Sequence, residues 1–173
     1  MSVATALKDA TALGLGADHI VNVWGFDENL VKLAGASSER VMGTPANAFF
    51  GEKVPLMDKV MEYAKKMNPG VPPENRLVRT VQSWVDVLLM REALVRADKA
   101  GKLNGPGVKE AFESIREWTP GLGRSPITIT PTDHRPGSLV RVYIIRDRKF
   151  TQLAAVDLKK RWPEKWDKEW LGW

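Results

Sequence analysis

Apolar residues recur along this chain at two periods, and the order in which the periods alternate predicts an α/β protein. Val3, Ala6, Leu7, Ala10 and Leu13 stand three and four residues apart, one face of an amphipathic helix, and Gly14 and Gly16 supply its stop. Residues 19–24 follow as a short buried strand closed by Gly25. Asp27 opens a second helix, with Asp27 and Glu28 in the first turn, where the macrodipole favours acids. Leu30, Val31, Leu33 and Ala34 give that helix its apolar side, and Gly35 ends it. Residues 41–44 read as another short strand before Pro45.

The middle of the chain is helical. Met57, Val60, Met61, Ala64 and Met67 form one stripe, broken by Asn68-Pro69-Gly70. The longest helix is predicted from about Pro73-Glu74 to Ala100, carrying Leu77, Val81, Trp84, Val85, Leu88 and Leu89, with Gly101 as its stop. Val108, Ala111, Phe112 and Ile115 mark one more helix beside Pro106. The period then changes to two: residues 127–130 alternate, residues 139–145 are rich in β-branched side chains, and residues 150–156 return as a partner strand after an Asp147-Arg148 turn.

The tail carries Trp162, Trp166, Trp170 and Trp173 at helical spacing among Lys159, Lys160, Lys165 and Lys168. A helix docked on the protein's own body is the leading reading of this stripe. A protein partner and a membrane-surface helix stand behind it.

Composition narrows the classes. The 173 residues, 43% hydrophobic and 27% charged, suit a globular chain able to bury a sizeable core. No apolar run nears the roughly 20 residues that span a bilayer, so no stable membrane insertion is expected. Cysteine is absent, which removes disulfides and thiolate chemistry without fixing the compartment. The first residues lack the basic start and apolar core of a secretory signal. The net charge of +5 concentrates at Arg135, Arg141, Arg146, Arg148 and Lys149, offset by Asp147. On a strand pattern, such a run reads as a solvated face rather than a phosphate track, and no nucleic-acid partner is expected.

Catalytic and cofactor chemistry is missing. Two histidines, His19 and His134, stand without metal-ligand spacing, so no metal is expected. Gly14-Leu15-Gly16 precedes a strand, whereas a dinucleotide-binding loop must follow one, and no cofactor is implied. Asp133-His134 is the one tempting pair. Adjacent residues on extended chain point apart, so turn formation is the better reading there. No catalytic residue is assigned, and the chain reads as a non-enzyme.

In open α/β sheets ligands sit beyond the carboxyl ends of strands. The loop after the first strand carries Trp24, Gly25, Phe26 and Asp27. Its indole could enclose an apolar group, and its carboxylate could accept from an ammonium. Trp24 reads equally as core packing and Asp27 as a helix N-cap, and a cap and a ligand contact can share one residue.

Four segments, in order, resemble one family. Trp24-Gly25-Phe26-Asp27-Glu28-Asn29-Leu30-Val31-Lys32-Leu33-Ala34-Gly35 is similar to a second-lobe segment of the ABC-importer solute-binding proteins of branched-chain amino acid type, and Leu7-Lys8-Asp9-Ala10 with Leu13-Gly14-Leu15 resembles the helix before it. The block from Arg76 through Gln82-Ser83-Trp84 to Leu94 resembles that family's long helix. Ile127-Thr128-Ile129-Thr130-Pro131-Thr132-Asp133-His134-Arg135-Pro136, with the hairpin that follows, resembles its last crossing segment. The resemblance covers roughly residues 1–156.

It implies a type I periplasmic binding fold, two α/β lobes joined by crossing segments, present here as a C-terminal half. Residues 1–50 would end the second lobe, residues 51–125 would belong to the first, residues 126–156 would cross back as a hairpin, and residues 157–173 would form a tryptophan-rich tail. The signal peptide and most of the first lobe would lie outside this chain. It also implies a small amino acid or related carboxylate as solute, an ABC permease as partner, and a periplasmic or extracellular location. In relatives the Trp24–Asp27 loop would contribute to the solute's polar end. Thr80 stands where relatives carry tyrosine on the hinge side of the cleft, which puts an aliphatic amino acid in doubt. The Asp147-Arg148 turn lacks the family's glycine. The competing function is a non-catalytic interaction protein using the basic surface and the tail on a protein, nucleic-acid or membrane partner.

Overall fold

Ser2 caps the first helix, α1 (Val3–Ala12), by accepting the Thr5 amide on its side chain. Residues 2–170 are described in this computed structural model. Helix α1 buries Ala4, Leu7 and Ala10. It packs beside α2 (Glu28–Ala34), against one sheet whose strand order is β1-β2-β3-β4. Strands β1 (Ile20–Val21) and β2 (Met42–Gly43) are parallel, with Val21 opposite Gly43. Strand β3 (Leu139–Arg146) runs antiparallel to β2, with Tyr143 opposite Gly43. Strand β4 (Lys149–Asp157) closes the hairpin. The chain is therefore an open mixed α/β structure.

The hairpin turn is Asp147-Arg148 as expected, and it is left-handed at both residues, with φ of 50° and 61°. That is the turn matching strand twist, and it ordinarily takes Asn-Gly or Asp-Gly. The Asp147 amide donates to the Glu39 carboxylate across the turn.

Three elements depart from expectation. The strand over residues 19–24 shrinks to Ile20–Val21 and is not buried as a whole: it lies at the sheet edge, and Ile20 is 73% exposed. The long helix α4 (Val78–Lys99) begins later than Pro73, which sits in a short 3-10 turn, Pro73–Asn75. Arg76 explains the delay, because its guanidinium reaches back to the carbonyls of Ala64 in the last turn of α3 (Met57–Met67), of its C-cap Asn68 and of Val71 in the loop beyond. Residues 127–130 form no ladder. Ile127 and Ile129 are buried beside Ile115 as alternation requires, but only isolated bridges, Trp118 to Ile127 and Thr130 to Asp133, are made.

The core divides into neighbouring clusters. One lies under the sheet around Phe26, with Leu30, Val41, Phe49, Tyr143 and Ile145, and it includes Val78 from the start of α4. A second joins α3 to α4 through Met57, Val60, Val81 and Val85, with Leu122. A third packs α4 on α5 (Gly105–Glu113) through Ala93, Ala97 and Ala111. Among the described residues, no helix is long and apolar enough to cross a membrane.

The tail runs through α6 (Leu158–Arg161) into a π-helical turn, Lys165–Glu169. Trp166 is buried, the Arg135 guanidinium lies 3.9 Å from its ring centre, and Arg135 donates to the carbonyls of Trp166 and Trp170. Trp162 and Trp170 meet edge to face at 5.9 Å. Trp173 lies outside the described residues.

Candidate functional site

Parallel β1 and β2 send their carboxyl ends to the same side of the sheet, and the loop after β1 holds the expected cluster. Asp27 divides its carboxylate between two tasks. One oxygen accepts the amides of Asn29 and Leu30 at 3.0 and 3.3 Å, capping α2, while the other lies 3.7 Å from Arg79. Arg79, the second residue of α4, donates to the Trp24 carbonyl at 2.9 Å, with its guanidinium 5.3 Å from the indole centre. Trp24 is 69% exposed, so the indole is open to a ligand and is not core.

Glu28 joins the same elements from the other side. Its carboxylate accepts the Val78 amide at 2.9 Å, capping α4, whose own N-cap residue Leu77 has no side chain to do so. Burial pushes the Glu28 carboxyl above the ordinary carboxylate range. Hydrogen bonds from the backbone of Val78, Glu28 and Phe50 pull the other way, and the neighbouring Asp27 charge adds to the rise. Lys32 completes the seam by donating to the Glu74 carbonyl and the Asn75 side chain.

The expected site residues separate into four groups. Trp24 and Asp27 face the seam. Gly25 is there for packing, since a Cβ would meet Val3 and Val21 methyls at 2.7 and 2.8 Å. Phe26 is removed from the candidate contacts: it is 0% exposed and meets Phe49 and Phe150 edge to face, leaving no surface for a solute. Thr80 is half-buried beside Arg79, yet the links from α4 to the loop run through Val78 and Arg79. Arg79 and Glu28 are the residues the sequence reasoning missed. The signal was present, because Arg79 adjoins the flagged Thr80 and Glu28 adjoins the flagged Asp27.

Asp133 and His134 point apart. Asp133 forms a two-pronged pair with Arg135 at 2.8 Å on each prong, and Arg135 holds its carboxyl below the ordinary range. His134 instead lies 3.0 Å from Glu113. Surface cavities of about 540 and 620 Å³ open elsewhere, and neither is lined by Trp24, Asp27 or Arg79.

No protein-family model matches the sequence, and no curated protein matches it. Solved structures do match by shape. A branched-chain amino acid ABC transporter protein from Thermus thermophilus with bound valine superposes with a TM-score of 0.79 at 20% identity, over 93% of this chain and 45% of that one. A fatty acid ABC transporter substrate-binding protein from Thermomonospora curvata gives 0.75 at 18% identity, over 92% and 42%. A leucine-binding protein from Thermotoga maritima gives 0.69 at 18% identity, over 91% and 42%. The chain has the fold of type I periplasmic binding proteins over the part it spans. It spans less than half the length of these neighbours.

Proposed function

We propose that this chain is part of the substrate-binding component of an ABC importer, a receptor rather than an enzyme, that takes a small amino-acid-like or carboxylate solute. The observation that carries the reading is the seam at the carboxyl end of β1. An exposed indole, a capped carboxylate and a guanidinium from α4 meet there, in a chain whose fold is that of importer binding proteins. Residues 1–50 and the hairpin within 126–156 would make one lobe, and residues 51–125 would contribute to the other. Such a receptor works outside the cytoplasmic membrane and hands its solute to permease subunits. The indole suits an aliphatic or aromatic side chain and Asp27 suits an ammonium, while Arg79 holds the two in place through the Trp24 carbonyl and the second Asp27 oxygen.

Isothermal titration with valine, leucine and short-chain fatty acids tests the reading. Because the chain spans under half the length of its structural neighbours, saturable but weak heats are expected, and Trp24→Ala and Arg79→Gln should abolish them. Heats that both variants leave unchanged would overturn the reading.

A further inference from the structure

Two guanidiniums meet beyond the carboxyl end of β2 with almost nothing to hold. Gly43, the last residue of β2, pairs with Tyr143, so Arg141 lies two residues further along β3, past that end. Opposite it the turn at Gly121–Arg124 folds back on the 44–56 loop. The Ala48 amide donates to the Leu122 carbonyl and the Leu122 amide to the Pro55 carbonyl, each at 3.0 Å. Gly123, at φ +69°, makes the approach possible: a Cβ there would meet Ala48 at 2.8 Å and the Arg141 guanidinium at 3.0 Å.

This approach brings Arg124 beside Arg141. Arg124 donates to the Ala46 carbonyl at 3.2 Å, and its buried Nε–H has no partner among the described residues. Neither arginine forms an ion pair among those residues. Asn47, next to Ala46 and 2% exposed, has an unpartnered Oδ1, and its amide can present N–H by a half-turn. Burial and the Arg141 charge both lower the Arg124 pKa, with Asp86 opposing. Like charges left half-desolvated without a counter-ion are costly, and an anion relieves that cost.

We infer that Arg124, Arg141 and Asn47 form a carboxylate-binding subsite at the crossing of the 44–56 and 121–125 loops. The paired guanidinium edges of Arg124 and Arg141 match a carboxylate's two oxygens. The subsite rests on the solute-receptor reading for its biological meaning, and it lies on the same side of the sheet as the Trp24 loop. It would take the solute's acid group, leaving Asp27 for an amino group.

The test uses 15N-arginine-labelled chain titrated with acetate, with chloride at matched ionic strength and butylammonium as controls. Acetate is expected to move the Nε–Hε signals of Arg124 and Arg141 saturably. Chloride and butylammonium should leave them in place, and Arg141→Gln should weaken the acetate response at least tenfold with unchanged circular dichroism. Arg141→Lys, which keeps the charge, serves if the glutamine variant unfolds, and it should weaken the response by a smaller factor. Signals that do not saturate, that follow chloride equally, or that ignore both variants would overturn the subsite. If acetate moves Arg124 while no amino acid or fatty acid disturbs the Trp24 loop, the subsite stands and the receptor reading falls. If valine disturbs that loop while acetate leaves Arg124 still, the reverse holds.

Discussion

Single residues decide how closely the elements around the seam approach. Gly43 allows the Phe26 ring to lie on the backbone of β2, where any Cβ would collide with the ring. Gly43→Ala should therefore destabilise the fold by about 1–3 kcal/mol, the usual range for overpacking, measured by urea unfolding. A neutral result would mean that the ring has room to move. Glu28 carries the pH signature. Its folded carboxyl is raised, so the native state holds its proton to higher pH than the unfolded chain does. The contribution of this group is thus most favourable below its unfolded value and is lost as pH rises through the raised one. Glu28→Gln keeps an acceptor for the Val78 amide and removes the titration. Relative to the wild type, it should gain stability as pH climbs from about 4 to 7. A flat difference would contradict the burial account. Glu28→Ala removes the cap as well and should cost about 1 kcal/mol.

At the scale of elements, the hairpin and the tail make separate predictions. Arg148 holds a left-handed conformation that side chains disfavour by about 1–2 kcal/mol. Arg148→Gly should raise hairpin stability, by up to about 1 kcal/mol once the entropy of glycine is subtracted, and thermal unfolding would show it. Arg135 ties the tail to the crossing segment through Asp133, the Trp166 ring and two tail carbonyls. Arg135→Ala should speed tryptic cleavage within residues 159–168 by about tenfold, with little change in the unfolding of the core. Unchanged cleavage would mean that other contacts hold the tail.

Most helices were legible because their stripes were long. The α4 start was not, since the pull of Arg76 on the α3 carbonyls is a long-range contact that no local pattern encodes. Alternation at residues 127–130 correctly marked Ile127 and Ile129 as inward, but a strand also needs a neighbour, and period alone does not reveal one. Among site residues, Phe26 misled because an aromatic in a strand-end loop fits core and ligand equally well, and burial alone separates them.

For the whole molecule, the balance between fold and function rests on what the seam joins. Residues 24–32 meet residues 74–80 through four side chains, Asp27, Glu28, Lys32 and Arg79, each bridging the two segments. Trp24 stays open to solvent at this seam, with the Arg79 guanidinium over its ring. The tail, by contrast, docks through the inward Trp166 under Arg135, while Trp162 and Trp170 stay 38% and 40% exposed. The central claim is that a small solute contacts the Trp24 loop and the start of α4. Backbone amide NMR of the uniformly 15N-labelled chain during titration with valine tests it most directly. Saturable shifts gathered on residues 24–28 and 78–80 are predicted. Shifts confined to the tail, or none at millimolar valine and fatty acid alike, would contradict it.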